Sequence, residues 1–170
     1  VAVGYASLGA NTTGANNTAV GMQALVLVST GDNNTAVGYL AGDALTTGEG
    51  SVAIGKNALS AATTSSYNVA VGLDALAATT GTGNTALGQG ALATNTSASY
   101  NVGLGYSALG NNTTGTDNVG VGYKALNANT TASSNTAVGD SALLLNTTGT
   151  RNVAVGALAL DANTTANDNT

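Results

Sequence analysis

The sequence predicts an all-β protein, a parallel β-solenoid of ten coils of about 17 residues, and three observations carry that reading. A pentapeptide of the NTAVG type begins at Asn17, Asn34, Ser51, Asn68, Asn84, Asn101, Asn118, Asn135 and Asn152, and Asn169 opens another. Successive starts lie 17 residues apart, except for 16 between Asn68 and Asn84. Each unit is too short, and too rich in Thr, Asn and Gly, for a helical repeat, and no run shows a 3.6-residue period. A unit that returns to its own opening motif is one coil, and coils stack at about 4.8 Å. Counting back from Asn17 puts Val1 in the second place of a repeat, so residues 1–170 read as a single array with no other domain and no cap at either end.

The elements follow in order along the coil, with slots numbered from the Asn. Slot 1 is Asn in all but Ser51, and stacking predicts an amide ladder in which each side chain bonds the next. Slot 2 is Val or Thr, and slot 4 is Val, Ile or Leu. In a strand these two share a face, so they are expected to form, with Leu at slot 9, an apolar spine inside the rod. Slot 3 is Ala, or Gly at Gly103 and Gly120, and is expected to face the other way. Slot 5 is Gly in every copy, from Gly4 to Gly156, which permits a sharp bend or a positive φ. Slot 8 is Ala except at Ser7, and slot 9 is Leu except at Gly42. A second short extended piece is expected through the Asn-Thr-Thr of slots 12 to 14, followed by a turn at the small residue of slot 15. From Gly81 onward slot 15 alternates through Ala98, Gly115, Ala132, Gly149 and Ala166, a pattern of duplicated two-coil units. Tyr5 and Tyr39, and Tyr106 and Tyr123, share slot 6 and are expected to stack outside.

A thin rod without aromatic residues in its interior needs further burial. Small side chains at slots 3 and 8 would let another backbone approach closely, which predicts side-by-side self-association of parallel rods. Open strand edges at the ends would also allow end-to-end joining into a filament.

Composition excludes several functions. Charged residues make up 6%, against roughly 25% in an ordinary soluble domain. Lys56, Lys124 and Arg151 are the only cations and lie far apart, too few to displace counterions from phosphates, so no nucleic-acid partner is expected. No run approaches 20 apolar residues, so no membrane insertion is expected. His and Cys are absent, which removes the usual nucleophile–base pairs and cysteine zinc sites. Asp32 and Glu49 share slot 16 of adjacent coils and would lie near 5 Å apart, the spacing of a retaining glycosidase pair. They read as a solvated turn edge, since nothing else outlines a sugar cleft. The remaining acids, Asp43, Asp74, Asp117, Asp140, Asp161 and Asp168, lack the regular pattern of calcium-binding repeats. The chain is therefore expected not to be an enzyme, with no catalytic, cofactor-binding or metal residues and no cofactor. Acceptor-like motifs at Asn11, Asn95, Asn129 and Asn146 fall on ladder positions and read as coincidence.

The stretch SVAIG at 51–55, with NNTAVG at 16–21 and 33–38, resembles the head repeats of trimeric autotransporter adhesins, the YadA-like group. With the Ala-Leu and Asn-Thr-Thr-Gly elements, all ten repeats are also similar to those of phage tail-fibre and bacterial surface proteins. The resemblance implies a left-handed β-roll in a homotrimer, placed outside the cell or on a virion and serving attachment. The 17-residue coil is longer than the usual adhesin repeat, and the family has no catalytic residues to carry over.

The expected function is thus a structural extracellular fibre segment, the shaft or head of an adhesive surface or tail fibre, which self-associates and presents a tip to a host or matrix surface ligand. The alternative is a self-assembling extracellular filament. A second alternative is ice binding, through the threonine pairs Thr12–Thr13, Thr46–Thr47, Thr63–Thr64 and Thr113–Thr114. There, alternation along a strand predicts that only one Thr of each pair faces out, beside Asn at slot 12, in an array interrupted at Val28 and Leu45. With so few titratable groups, stability is expected to change little between about pH 5 and 8.

Overall fold

The computed structural model describes residues 1–170 and is a parallel β-solenoid. Ten strands form one sheet in sequence order: β1 (Ala2–Val3), β2 (Thr18–Val20), β3 (Thr35–Val37), β4 (Val52–Ile54), β5 (Val69–Val71), β6 (Thr85–Leu87), β7 (Val102–Leu104), β8 (Val119–Val121), β9 (Thr136–Val138) and β10 (Val153–Val155). Register is that of the repeat, with Thr18 beside Thr35 and Ala19 beside Ala36, and the shorter coil keeps it, with Val69 beside Thr85. β2 to β10 are three residues long and β1 two, and Gly at slot 5 ends each, at φ between 128° and 140°. From Gly4 to Gly139 a Cβ there would meet the carbonyl of the next coil's Gly at 2.3–2.6 Å, so the column admits no side chain between stacked coils.

The expected second strand through slots 12 to 14 does not form; slots 13 and 14 of the 17-residue coils are bends and slot 12 is irregular. Left-handed backbone flanks that segment on both sides. Every coil has a residue of φ near +50° to +70° at slots 7, 9 and 17, as at Gln23, Leu25 and Asn33. Left-handed residues reverse the pleat, so no extended run crosses slots 7, 9 or 17. Hydrogen bonding between coils nevertheless continues around the turn: Leu25 N–H donates to Ala41 O (3.0 Å) and Thr46 N–H to Thr63 O (2.8 Å). Of 108 backbone bonds, only 17 lie within the strands, so the ladder belongs to the whole coil.

Orientation of the strand wall corrects the expectation. The slot 3 alanines, Ala19, Ala36, Ala70, Ala86 and Ala137, are fully buried, while Val20, Val37, Ile54, Leu87 and Val138 at slot 4 are exposed. Slots 3 and 8 line the interior and offer no approach to another rod. The interior is narrow because Leu at slot 9 fills it. A Cβ on Gly103 would sit 3.3 Å from the Leu92 side chain, so nothing larger than a methyl fits across from it. Consecutive residues at slots 8 and 9 both point inward, as Ala58 and Leu59 do, because Leu59 is left-handed at φ 58°.

A left-handed Leu costs about 1–2 kcal/mol. Burying its side chain returns about 1.5–3 kcal/mol, so nine copies keep it. The exception compensates. Gly42 takes the left-handed position without strain, Leu45 at slot 12 is buried in its coil, and Leu25 from the coil before reaches to 2.9 Å of where a Gly42 Cβ would lie.

The 16-residue coil loses its residue at slot 14. Asn68 Nδ2 donates to the carbonyl 13 residues on, at Gly81 (2.9 Å), where other coils reach 14 residues on. Thr79 Oγ1 closes the shortened bend by accepting the Gly81 N–H (3.1 Å).

Candidate functional site

No pocket opens on the surface, and no group of three or more acidic side chains gathers to hold a metal ion. The features that carry chemistry are columns, and they are built slot by slot.

The slot 1 column is the predicted amide ladder. Asn118 shows the unit. Its N–H donates to Asn101 Oδ1 (3.0 Å), its Nδ2 donates to Asn101 Oδ1 (3.2 Å) and to Ala132 O (2.8 Å), and its Oδ1 accepts the Asn135 N–H (3.0 Å). The ladder runs unbroken from Asn68 to Asn169. Slot 12 adds a second interior ladder that the sequence reading placed outside. Asn112 Nδ2 bonds Asn95 Oδ1 (3.0 Å), and Asn129, Asn146 and Asn163 continue the chain. Both ladders converge on the slot 15 carbonyl, so Gly115 O accepts from Asn101 and from Asn112, each at 2.9 Å. Gly and Ala at slot 15 offer the same carbonyl, and their alternation has no consequence for this bonding. Burial of Asn95, Asn129 and Asn146 places three of the acceptor-like motifs in the interior.

Outside, the sheet presents three rows. Slot 2 is half-buried Val or Thr along the inner coils, and slot 4 is an aliphatic row from Val3 to Val155, half-buried at Val71, Leu104 and Val121 and exposed elsewhere. Slot 6 adds Tyr5, Met22, Tyr39, Leu73, Tyr106 and Tyr123, interleaved with Lys56, Gln89 and Asp140. Tyr106 and Tyr123 stack as expected, centroids 5.4 Å apart and planes 13° apart, with Lys124 Nζ 5.2 Å from the Tyr123 ring. Tyr5 and Tyr39 are two coils apart, with Met22 between them in the column.

The opposite wall presents hydroxyls. Slots 13 and 14 both face outward, because the bend removes strand alternation. Val28 and Leu45 sit inside at slot 12, so the breaks in the array are instead Ser29, Ser97 and the slot 14 position missing from the 16-residue coil. Slot 13 hydroxyls bridge coils, as Thr113 Oγ1 does to Thr130 O (2.9 Å). Thr30, Thr47, Thr64, Thr114, Thr131 and Thr148 at slot 14 are exposed.

The acids stand apart. Asp32 accepts the Ala15 N–H (2.6 Å), while Glu49 accepts the Tyr67 hydroxyl, which holds that phenol above its usual pKa. Each carboxylate is engaged by a different coil, and they enclose no cleft. Tyr67 and Tyr100, at slot 17, lie against Gly50 and Gly83 of the preceding coils, a pairing of ring and bare backbone that the sequence reading missed. Its only signal was Gly at slot 17 one coil before Tyr. Arg151 pairs with Asp168 (2.6 Å) at the surface and lowers the pKa of that carboxyl. Asp43 is the one carboxyl raised by burial, with the N–H groups of Asp43 and Ala44 opposing the shift, and its Oδ1 has no hydrogen-bond partner.

No helix is long and apolar enough to cross a membrane. Comparison of the chain with protein-family models, with curated proteins and with solved structures found no match.

Proposed function

We propose that this chain is a stiff structural segment of an extracellular fibre, on a cell surface or a virion, that holds an adhesive tip away from its anchor. The observation that carries the reading is the continuity of the ladders: backbone bonds, buried amides and bridging hydroxyls repeat coil after coil along the axis. Pulling along the axis loads many bonds in parallel, and access by a protease requires a whole coil to open. The work of the segment is mechanical on this reading. It needs no cofactor or catalytic group, and contact with a host or matrix ligand falls to the tip.

Self-association belongs to the same proposal and uses the outer face of the sheet, since the alanine columns are interior. Rows at slots 2, 4 and 6 form a largely apolar stripe, broken at slot 6 by Lys56, Gln89 and Asp140 and on the order of 600 Å², about the upper end of what a monomer exposes. Three copies, the number the adhesin resemblance implies, would bury this stripe around one axis. Sedimentation equilibrium tests it. A folded trimer is expected at micromolar concentration, reduced to monomer by Val37→Lys with Val121→Lys. A folded wild-type monomer sinks the assembly, and negative-stain images separate short rods from the long filaments of the alternative.

One observation favours a second reading, ice binding: the hydroxyl columns at slots 13 and 14 both face water, with serine for threonine at Ser29 and Ser97 and one gap at slot 14 in the 16-residue coil. Thermal hysteresis of the purified chain would support it, and none at millimolar concentration removes it.

A further inference from the structure

The amide donors that reach the slot 15 carbonyl are graded along the rod. From Asn84 onward each coil supplies two, as at Ala98 O, Gly115 O, Ala132 O and Gly149 O. The coils beginning at Asn17, Asn34 and Asn68 supply one, at Gly31 O, Gly48 O and Gly81 O. The coil from Ser51 to Tyr67 supplies none. Slot 1 is Ser51 and slot 12 is Ala62, neither with an amide, and no hydrogen bond reaches the Ser65 carbonyl.

That coil has further deficits. Ser65 is 4% exposed and its Oγ has no partner. Ser51 Oγ makes only long contacts, accepting from Asn68 N–H (3.3 Å) and donating to Glu49 O (3.5 Å). The one other buried side-chain polar atom without a partner, Asp43 Oδ1, lies in the coil directly before. The amide column that is continuous from Asn68 is thus interrupted at a single hydroxyl between Asn34 and Asn68.

In a solenoid each coil touches only its neighbours, so stability is a sum of local interface terms and opening starts where that sum is least. We infer that the coil from Ser51 to Tyr67 is a built-in yield point, at which the rod opens internally before its other inner coils. The backbone ladder is kept on the strand side, with Val52 N–H to Asn68 O at 2.8 Å and Leu59 N–H to Ala75 O at 3.0 Å. The slot 13 rung that joins Thr46 N–H to Thr63 O (2.8 Å) and Thr80 N–H to Thr96 O (2.6 Å) has no counterpart at Thr63; the side-chain share of the deficit can be moved by substitution.

Hydrogen exchange on the full chain reads it directly. The amides of Val52 and Leu59 are expected to exchange about tenfold faster than their equivalents Val119 and Leu126. Ser51→Asn restores the column and is expected to slow Val52 and Leu59 by about tenfold. Asn118→Ser with Asn129→Ala moves the defect, and fast exchange is expected to appear at Val119 and Leu126. Equal wild-type rates at the two coils, or rates unmoved by Ser51→Asn, overturn the inference. Should the double variant not fold, the wild-type comparison and the single variant still decide it.

Discussion

The two walls of the coil solve opposite problems. On the strand wall the inward residue is a methyl and the outward residues are large and apolar. On the bend wall the inward residue is an amide and the outward ones are hydroxyls. Ala137 lies at 0% exposure beneath the exposed Val138, while Asn129 lies at 0% beneath the hydroxyl surface of Thr130 and Thr131. Large apolar residues outside and polar residues inside would be costly in a globular domain. Here stacking satisfies every ladder Asn through its own copies, and the rows outside the sheet remain available for a partner. Periodicity along the axis, more than hydrophobic sorting across it, sets which residues can be buried.

Substitutions that break this contrast are ordered by size. Gly122→Ala is the most severe. Its Cβ would meet Gly139 O at 2.3 Å in a backbone of φ +133°, and loss of more than about 3 kcal/mol, read as a collapsed thermal melt by circular dichroism, is expected. Ala70→Leu follows, since the strand wall has no interior room, with a loss of about 1–3 kcal/mol or more. Val37→Thr, one residue beyond an equivalent alanine but outside, should change the stability of the single rod, melted under dissociating conditions, by less than about 0.5 kcal/mol. Equal melts for these two variants would mean that the wall is oriented the other way.

Asn118→Ala sharpens the contrast on the bend side. It strips donors from Ala132 O and Asn101 Oδ1 and the acceptor from the Asn135 N–H, a loss of about 1–3 kcal/mol in urea unfolding. Thr114→Ala on the outer hydroxyl column should be nearly silent. The smallest effect is that of Asp43→Asn. Burial raises the folded pKa of Asp43 above 3.8, so its contribution is fully present below the unfolded pKa and is lost as pH rises through the folded one. The variant should melt slightly higher than wild type at neutral pH, and that advantage should vanish below about pH 3.8. An advantage that persists undiminished in acid would assign the effect to packing.

The period, the parallel stacking, the slot 1 ladder and the glycine column were all legible because each depends on identity from coil to coil. Wall orientation was not. Val-Ala-Val satisfies the alternation rule whichever face is buried, and the rule favours the larger residue. The better signal was constancy of size: slot 3 admits only Ala or Gly, whereas slot 2 mixes Thr with Val and slot 4 mixes Val, Ile and Leu. The left-handed turn ahead of the expected second strand was hidden for a different reason. Leu is a poor left-handed residue, so nothing at slot 9 announced that the backbone turns there. Asn16, Asn33 and Gly50 at slot 17 did carry such a signal. Of the candidate surfaces, the Tyr106–Tyr123 stack could be foreseen, and the full threonine columns could not until slot 12 was known to be interior.

The coil that lacks one residue shows where this architecture accepts a change of length. Its strand keeps register with both neighbours, and the whole shortfall is absorbed beside Thr80, opposite the sheet. Extra peptide belongs at that same corner, where a grafted loop or epitope would ride on the shaft without disturbing the glycine column. A series of such insertions at Thr80, Thr114 and Thr148 would display cargo at fixed intervals on one edge, like rungs marked on a ruler.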